Sequence, residues 1–229
     1  MRVLVLDVDA DRGPEIAEDI GGRFTKADVR SEEEVITAVD AACGLGPLRV
    51  LVNCAGIGHP SRTIGRDGAY ESAHGLDVWE RVLSINLTGT FNCVRLAATA
   101  MSRTEPDADG QRGAIVNTAS IAAFDGQIGQ AAYSASKGGI VGLTVPLARD
   151  LAVVGIRVNT IAPGLIDTPI YDPMPDAEAF KEKLKRDVLF PPRLGTSREF
   201  ASMALELITN SYMNAAVIRL DAGARLQPR

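Results

Sequence analysis

The feature that most limits what this chain can fold into is a rhythm of short apolar runs separated by longer stretches with helical apolar spacing. Residues 3–6, 49–52, 113–117, 156–161 and 217–220 form apolar runs of strand length, as expected of strands buried on both faces. Residues 23–25 fit one more short strand. Residues 11–20 and 32–43 read as helices, the second with Val35, Ile36, Val39 and Ala42 on one side. Residues 77–101 and 131–153 read as long helical stretches. Strands alternating with helices predict an α/β chain with a parallel sheet covered on both faces.

No repeat or linker divides the chain, so residues 1–229 are expected to form a single domain. A chain of this length buries about 70–75% of its unfolded surface and needs no metal or disulfide to hold a core. The polar stretch 59–75 reads as a surface excursion. Residues 172–190, with Pro173, Pro175, Pro191 and Pro192 around them, read as an excursion carrying a short helix. Pro146 predicts a kink in the helical stretch that contains it. Gly138, Gly139 and Gly142 each cost that helix about 1 kcal/mol of propensity, so close packing against a neighbour is expected there.

Charge and cysteine content exclude several classes. The net charge is −5, which argues against a general nucleic-acid binder. Cys43, Cys54 and Cys93 are odd in number and contain no C-x-x-C pair, which fits a reducing compartment and offers no zinc site. His59 and His74 are the only histidines, too few for a multi-histidine metal centre. No apolar run approaches the ~20 residues that span a bilayer, and the N-terminus lacks a signal-peptide core. The expected address is the cytoplasm.

The densest chemical signal is Ser120 followed by Tyr133-Ser134-Ala135-Ser136-Lys137. On a helix, Tyr133 and Lys137 lie one turn apart on the same face. A tyrosine ionises near pH 10, and an adjacent ammonium lowers that value toward the range useful to a general base. Ser120 follows a strand, and ligands collect at strand carboxyl ends in open α/β sheets. Its hydroxyl is placed to hold a substrate alcohol or carbonyl oxygen. By itself Tyr-x-x-x-Lys is a short pattern that surface pairs also satisfy.

Other elements accompany it: Asn53-Cys54-Ala55-Gly56 after a strand, Asn86-Leu87-Thr88-Gly89, and Pro163-Gly164 with Thr168 beyond. Together, in this order and spacing, they resemble the short-chain dehydrogenase/reductase family over nearly the whole chain. The resemblance implies a Rossmann-like, doubly wound parallel sheet in three αβα layers. It implies that Tyr133 is the catalytic acid/base, that Lys137 lowers its pKa and binds the nicotinamide ribose, and that Ser120 bonds the reacting oxygen. Asn86 would hold a water that links Lys137 to solvent. Asn53, Ala55 and Gly56 would line the adenine-ribose side of a nicotinamide dinucleotide, and Pro163, Gly164 and Thr168 would flank its nicotinamide. Asp7, ending the first strand, can bond both ribose hydroxyls and would repel a 2′-phosphate, which points to NAD rather than NADP. Asp28 and Val29 resemble the adenine contact, although Asp28 also suits a helix cap.

Residues 117–133, 160–165 and 217–221 are similar to the type 2 branch of 3-hydroxyacyl-CoA dehydrogenases, in which Gln127 matches a substrate contact. The extended loop over residues 62–74 also looks like this branch. The implied reaction is reversible oxidation of the 3-hydroxyl of short or branched 3-hydroxyacyl-CoA, by a homotetramer that needs neither nucleic acid nor membrane. A 3-oxoacyl-carrier-protein reductase, or another alcohol or steroid dehydrogenase, is the enzyme alternative. Asp7 speaks against the NADPH-preferring reductase.

One departure is large. The family opens with a strand, a T-G-x-x-x-G-x-G turn and a helix, and this chain opens on what resembles the family's second strand. Lacking that unit, the sheet is expected to show two unpaired strand edges. Either Met1 is an internal methionine of a normal enzyme, or the short chain is the real product, a catalytically silent binding subunit. A smaller departure lies at Asn214-Ala215 and Asp221-Ala222-Gly223, where the family usually has Asn-Gly and Asp-Gly-Gly.

Overall fold

The computed structural model describes residues 1–169 and 176–228. The elements run β1 (Leu4–Asp7), α1 (Arg12–Asp19), β2 (Arg23–Lys26), α2 (Glu32–Cys43), β3 (Val50–Asn53), α3 (Leu76–Leu83), α4 (Thr90–Met101), β4 (Gly113–Thr118), α5 (Ala131–Ala152), β5 (Ile156–Pro163), β6 (Ile166–Asp167), α6 (Ala177–Leu184), β7 (Gly195–Thr196), α7 (Ser197–Thr209) and β8 (Val217–Leu220). Strands pair in parallel as β1-β2, β3-β4-β5-β8 and β6-β7. The expected strands are all present: β2, β4 and β5 are longer by a residue or two, β1 and β3 are shifted by one residue, and β8 is as expected.

Alternation along β4 organises the layers. Ile115 packs with Val94, Ala97 and Met101 of α4 and with Leu147 and Ala148 of α5. Its neighbour Val116 points the other way, into a cluster with Ala204 and Leu207 of α7. Successive side chains of a strand face opposite sides, so both faces of the sheet are covered by helices. The largest of these side chains, Met101, Ile115 and Leu207, are fully buried and contribute about 1.5–3 kcal/mol each.

The sheet is interrupted between β1 and β3. β1 and β3 each pair on one side only among the described residues. What joins the two sheets is a shared core: Leu6 of β1 and Leu51 of β3 both pack against Val29, Val35 and Cys93. Val52 is 39% exposed although it lies within a strand.

The helical expectations are met in part. The stretch 77–101 is α3 and α4 joined through a π-helical turn, Ser84–Gly89. Helix α5 runs as one helix through Pro146, as expected. Of its glycines only Gly139 packs closely, since a Cβ there would lie 2.7 Å from Leu87, whereas Gly138 and Gly142 face open space. Close packing therefore explains one of those glycines and not the other two. Helix α7 was not expected, yet Thr196 and Glu199 form a reciprocal capping box at its start, a readable N-terminus signal. Residues 172–175 of the second excursion lie outside the described residues, and the rest carries α6.

Candidate active site

Lys137 is the centre of the site. It sits one helical turn after Tyr133 on α5 and is 4% exposed. Its ammonium donates to the Thr118 carbonyl at 2.8 Å, at the carboxyl end of β4. It lies 5.9 Å from the centroid of the Tyr133 ring. Burial pulls the Lys137 pKa down to about 8, because a charge removed from water is costly and no carboxylate compensates. Burial pushes the Tyr133 phenol up from its ordinary value, and a hydrogen bond with Ser120 pulls it partly back. The expectation that Lys137 brings the phenol down is thus not met in the free protein, where desolvation of the ring is the larger effect.

Ser120 is buried directly after β4, where its hydroxyl also accepts from the Ala122 amide at 3.1 Å and starts a short 3-10 turn. That turn fixes the serine against the tyrosine from the sheet side.

Asn86 is fully buried within the π-helical turn, a feature that re-aims side chains at functional sites. Its carboxamide accepts from the Ile57 amide at 2.8 Å and donates to the Ile57 carbonyl at 2.9 Å and to the Ser136 hydroxyl at 3.0 Å. It therefore staples the 54–58 loop to the helix carrying Lys137. Gly56 lies under this staple: a Cβ there would come 3.3 Å from Asn86 Oδ1 and 3.4 Å from Lys137 Nζ. Asn53 ends β3, buried, and donates to the Asn117 carboxamide at 2.9 Å on the paired strand. Ala55 continues this loop, exposed beside it.

Pro163 ends β5, and the Gly164 amide bonds the Leu220 carbonyl at 2.9 Å, which ties this edge to β8. Thr168 is half-buried just before the residues that are not described. At the other sheet, Asp7 ends β1, exposed, with one carboxylate oxygen accepting from the Asp9 amide at 3.0 Å. Asp28 does not cap α2. Ser31 does, while the Asp28 carboxylate is gripped by Arg30 and held below the usual carboxylate range. Val29 is buried in the core, and its carbonyl accepts from Asn92 at 2.8 Å.

Thr118, Ser136, Ile57 and Asn117 belong to the site and were not singled out. Ser136 stood inside the Tyr133–Lys137 motif and Asn117 at the end of an apolar run. The Thr118 and Ile57 contacts are made by backbone groups, which leave no residue-type signal.

The donor set fits one half of a dinucleotide. The Lys137 ammonium has donors beyond the one given to Thr118, in a dry site, which suits a ribose diol. A diphosphate needs converging backbone amides at a helix N-terminus. At α1 those amides are already used: the Asp11 and Arg12 N–H groups both donate to the Asp9 carboxylate at 3.0 Å. The start of α2 carries Glu32, Glu33 and Glu34, which repel phosphate.

At the start of α5 lies an open cleft of about 490 Å³, lined by Arg62, Thr63 and Ile64 on one wall and by residues 126–131 and Ser134 on the other. Gln127 belongs to this wall, on the loop that leads into α5.

Comparison with known proteins identifies the family. The short chain dehydrogenase family matches residues 1–179. Human 3-hydroxyacyl-CoA dehydrogenase type-2 is 50% identical over 228 residues, covering 98% of this chain and 86% of that protein. The Drosophila melanogaster protein of the same name is 45% identical, covering 99% and 88%. The crystal structure of 3-hydroxyacyl-CoA dehydrogenase type-2 from Mycobacterium avium superposes with a TM-score of 0.93 at 42% identity, covering 100% of this chain and 88% of that one. Sequence match, fold and the Ser–Tyr–Lys geometry lead to the same place: this chain belongs to the short chain dehydrogenase family.

Proposed function

We propose that this protein is an NAD-dependent dehydrogenase that reversibly oxidises the 3-hydroxyl of short or branched 3-hydroxyacyl-CoA to the 3-oxo thioester. The observation that carries the reading is the buried Lys137 ammonium, held by Thr118 within reach of the Tyr133 ring, with Ser120 bonded to the same phenol. NAD, when bound, supplies the hydride acceptor, a role no side chain can fill. Ser120 donates to the reacting oxygen and holds it against Tyr133. The Tyr133 phenolate takes the hydroxyl proton as the C3–H bond breaks. The Ser120 hydrogen bond lowers the cost of that phenolate, and Lys137 returns the proton toward solvent. Asn86 keeps the 54–58 loop in place and offers its remaining acceptor lone pair to a water near Lys137.

Asp7 favours NAD over NADP by charge, which also weighs against a 3-oxoacyl-carrier-protein reductase. Asn53, Ala55 and Gly56, with Asp28 and Val29, would receive the adenosine end. Pro163, Gly164 and Thr168 would flank the nicotinamide, and Gln127 would meet the acyl thioester. Exposed thiols at Cys43 and Cys54 suit the reducing cytoplasm. Apolar Phe91 on α4 and Val145 on α5 are exposed, which suits a homotetramer. No described helix is long and apolar enough to cross a membrane.

A second reading, a catalytically silent subunit, is favoured by one observation: the α1 N-terminal amides are occupied by Asp9. One experiment separates the two. The purified chain is mixed with 3-hydroxybutyryl-CoA or its 2-methyl derivative and either NAD or NADP, and reduced nicotinamide is followed by absorbance. Turnover with NAD, and less with NADP, supports the dehydrogenase. Absence of turnover together with absence of NADH binding by calorimetry supports the silent subunit.

A further inference from the structure

The loop that carries Gln127 is gripped from behind by a segment far away in sequence. Arg219, in β8, donates from Nη2 to the Asp125 carboxylate at 2.7 Å and to the Ala224 carbonyl at 3.1 Å. Its Nε donates to Asp221 at 2.7 Å. The same guanidinium lies 5.2 Å from the Phe124 ring centroid. Arg225 and the Gly223 amide add bonds to Asp221 at 3.2 and 3.1 Å. The fold thus turns residues 221–228 back across the loop. There the Gln127 carboxamide donates to the Gln227 carbonyl at 2.8 Å, and the Ile128 amide donates to the Pro228 carbonyl at 3.0 Å. On its other side, the loop's Gly129 carbonyl accepts from the Ser61 amide at 2.9 Å.

This loop is one wall of the cleft at the start of α5, and it has little freedom of its own. A Cβ at Gly126 would lie 2.5 Å from Ser134 Oγ, so the loop is seated on the first turn of α5, next to Tyr133. The Arg219–Asp125 pair is only a quarter exposed on each side, so solvent screens it less than a surface pair. Planar guanidinium bonding to two carboxylates and a carbonyl defines one orientation, which a lysine could not.

We propose that residues 221–228 form a strap that sets the width of the acyl cleft, locked by the Arg219–Asp125 ion pair. Asp125 and Arg219 are positioning residues: they act on substrate through Gln127 and touch no reacting atom. This inference rests on the 3-hydroxyacyl-CoA reading for its substrate, but the strap itself does not.

The test compares the full chain with Asp125→Ala, Asp125→Asn and Arg219→Lys. Hydrogen exchange is measured on the amides of 126–130 and 224–228, and steady-state kinetics with NAD and 3-hydroxybutyryl-CoA run alongside. Asp125→Ala should speed exchange in both segments by about 10-fold or more while leaving β4 and β5 protected, as expected for local opening. KM for the acyl-CoA should rise about 10-fold with kcat within about 3-fold and KM for NAD unchanged, the pattern of lost substrate binding alone. Asp125→Asn, which keeps an acceptor in place, should fall between. Arg219→Lys serves if Asp125→Ala does not fold, and should loosen the same two segments. Unchanged exchange in a folded variant overturns the strap. A fall in kcat with KM unchanged overturns the positioning role. Absence of turnover in the unsubstituted chain sinks the substrate reading, while the exchange data still decide the strap.

Discussion

Replacing Lys137 by Met keeps the bulk of the side chain and removes its charge, and the structure sets what this does to stability. The lysine is 4% exposed and its pKa is drawn from 10.5 to about 8 by burial. Between those values the unfolded chain still holds a proton that the native chain has released, so native stability rises with pH across the window. The benefit is complete above 10.5 and is lost as pH falls through about 8. At roughly 1.4 kcal/mol for each pH decade, the full penalty at neutrality is about 3 kcal/mol. The substitution also strands the Thr118 carbonyl, at a cost of ~1–3 kcal/mol that does not depend on pH. Absolute stability at pH 7 is therefore a poor readout, and the pH dependence of the difference is a good one. Urea unfolding of both proteins, at several pH values from about 7 to 10.5, should show the advantage of Lys137→Met shrinking by ~2–3 kcal/mol as pH rises. Two curves that stay parallel would mean that Lys137 is solvated in the native state, and the account of a dry ammonium would be wrong.

Four other outcomes are expected. Tyr133→Phe should lower turnover by roughly 10²–10⁴ with little change in cofactor binding, and near-normal turnover would remove Tyr133 from its role. Asp7→Ala should bring the kcat/KM values for NAD and NADP together, and an unchanged ratio makes Asp7 a bystander. Asn86→Ala unpairs both Ile57 backbone groups, so it should cost at least ~2 kcal/mol in urea unfolding, and a cost under ~0.5 kcal/mol would refute the staple. With Asp9 occupying the α1 amides, calorimetry should show NADH binding weaker than about 100 μM, above the lower end of common enzyme affinities, and micromolar binding would show another way of holding the phosphates.

The alternation of strands and helices, the parallel sheet and the pairing of Tyr133 with Lys137 on one helix were all legible in the sequence. They follow from local periodicity, which a sheet buried on both faces and a 3.6-residue helix impose on any chain that forms them. Helix α7 carries a local signal as well, in the Thr196–Glu199 capping box at its start. Other features were decided only by the tertiary structure. The π-helical turn that buries Asn86 looks, in sequence, like one more turn of helix. The upward pull on Tyr133 depends on how much water the fold removes, which no spacing records. Lys137 is held by a backbone carbonyl, a group every residue carries. Arg219 meets Asp125 across 94 positions of chain, and only the turn after β8 brings them together. Sequence patterns encode what a residue needs from neighbours within a turn or a strand. Partners that meet through folding, and the dielectric they create, exist only once the layers are packed.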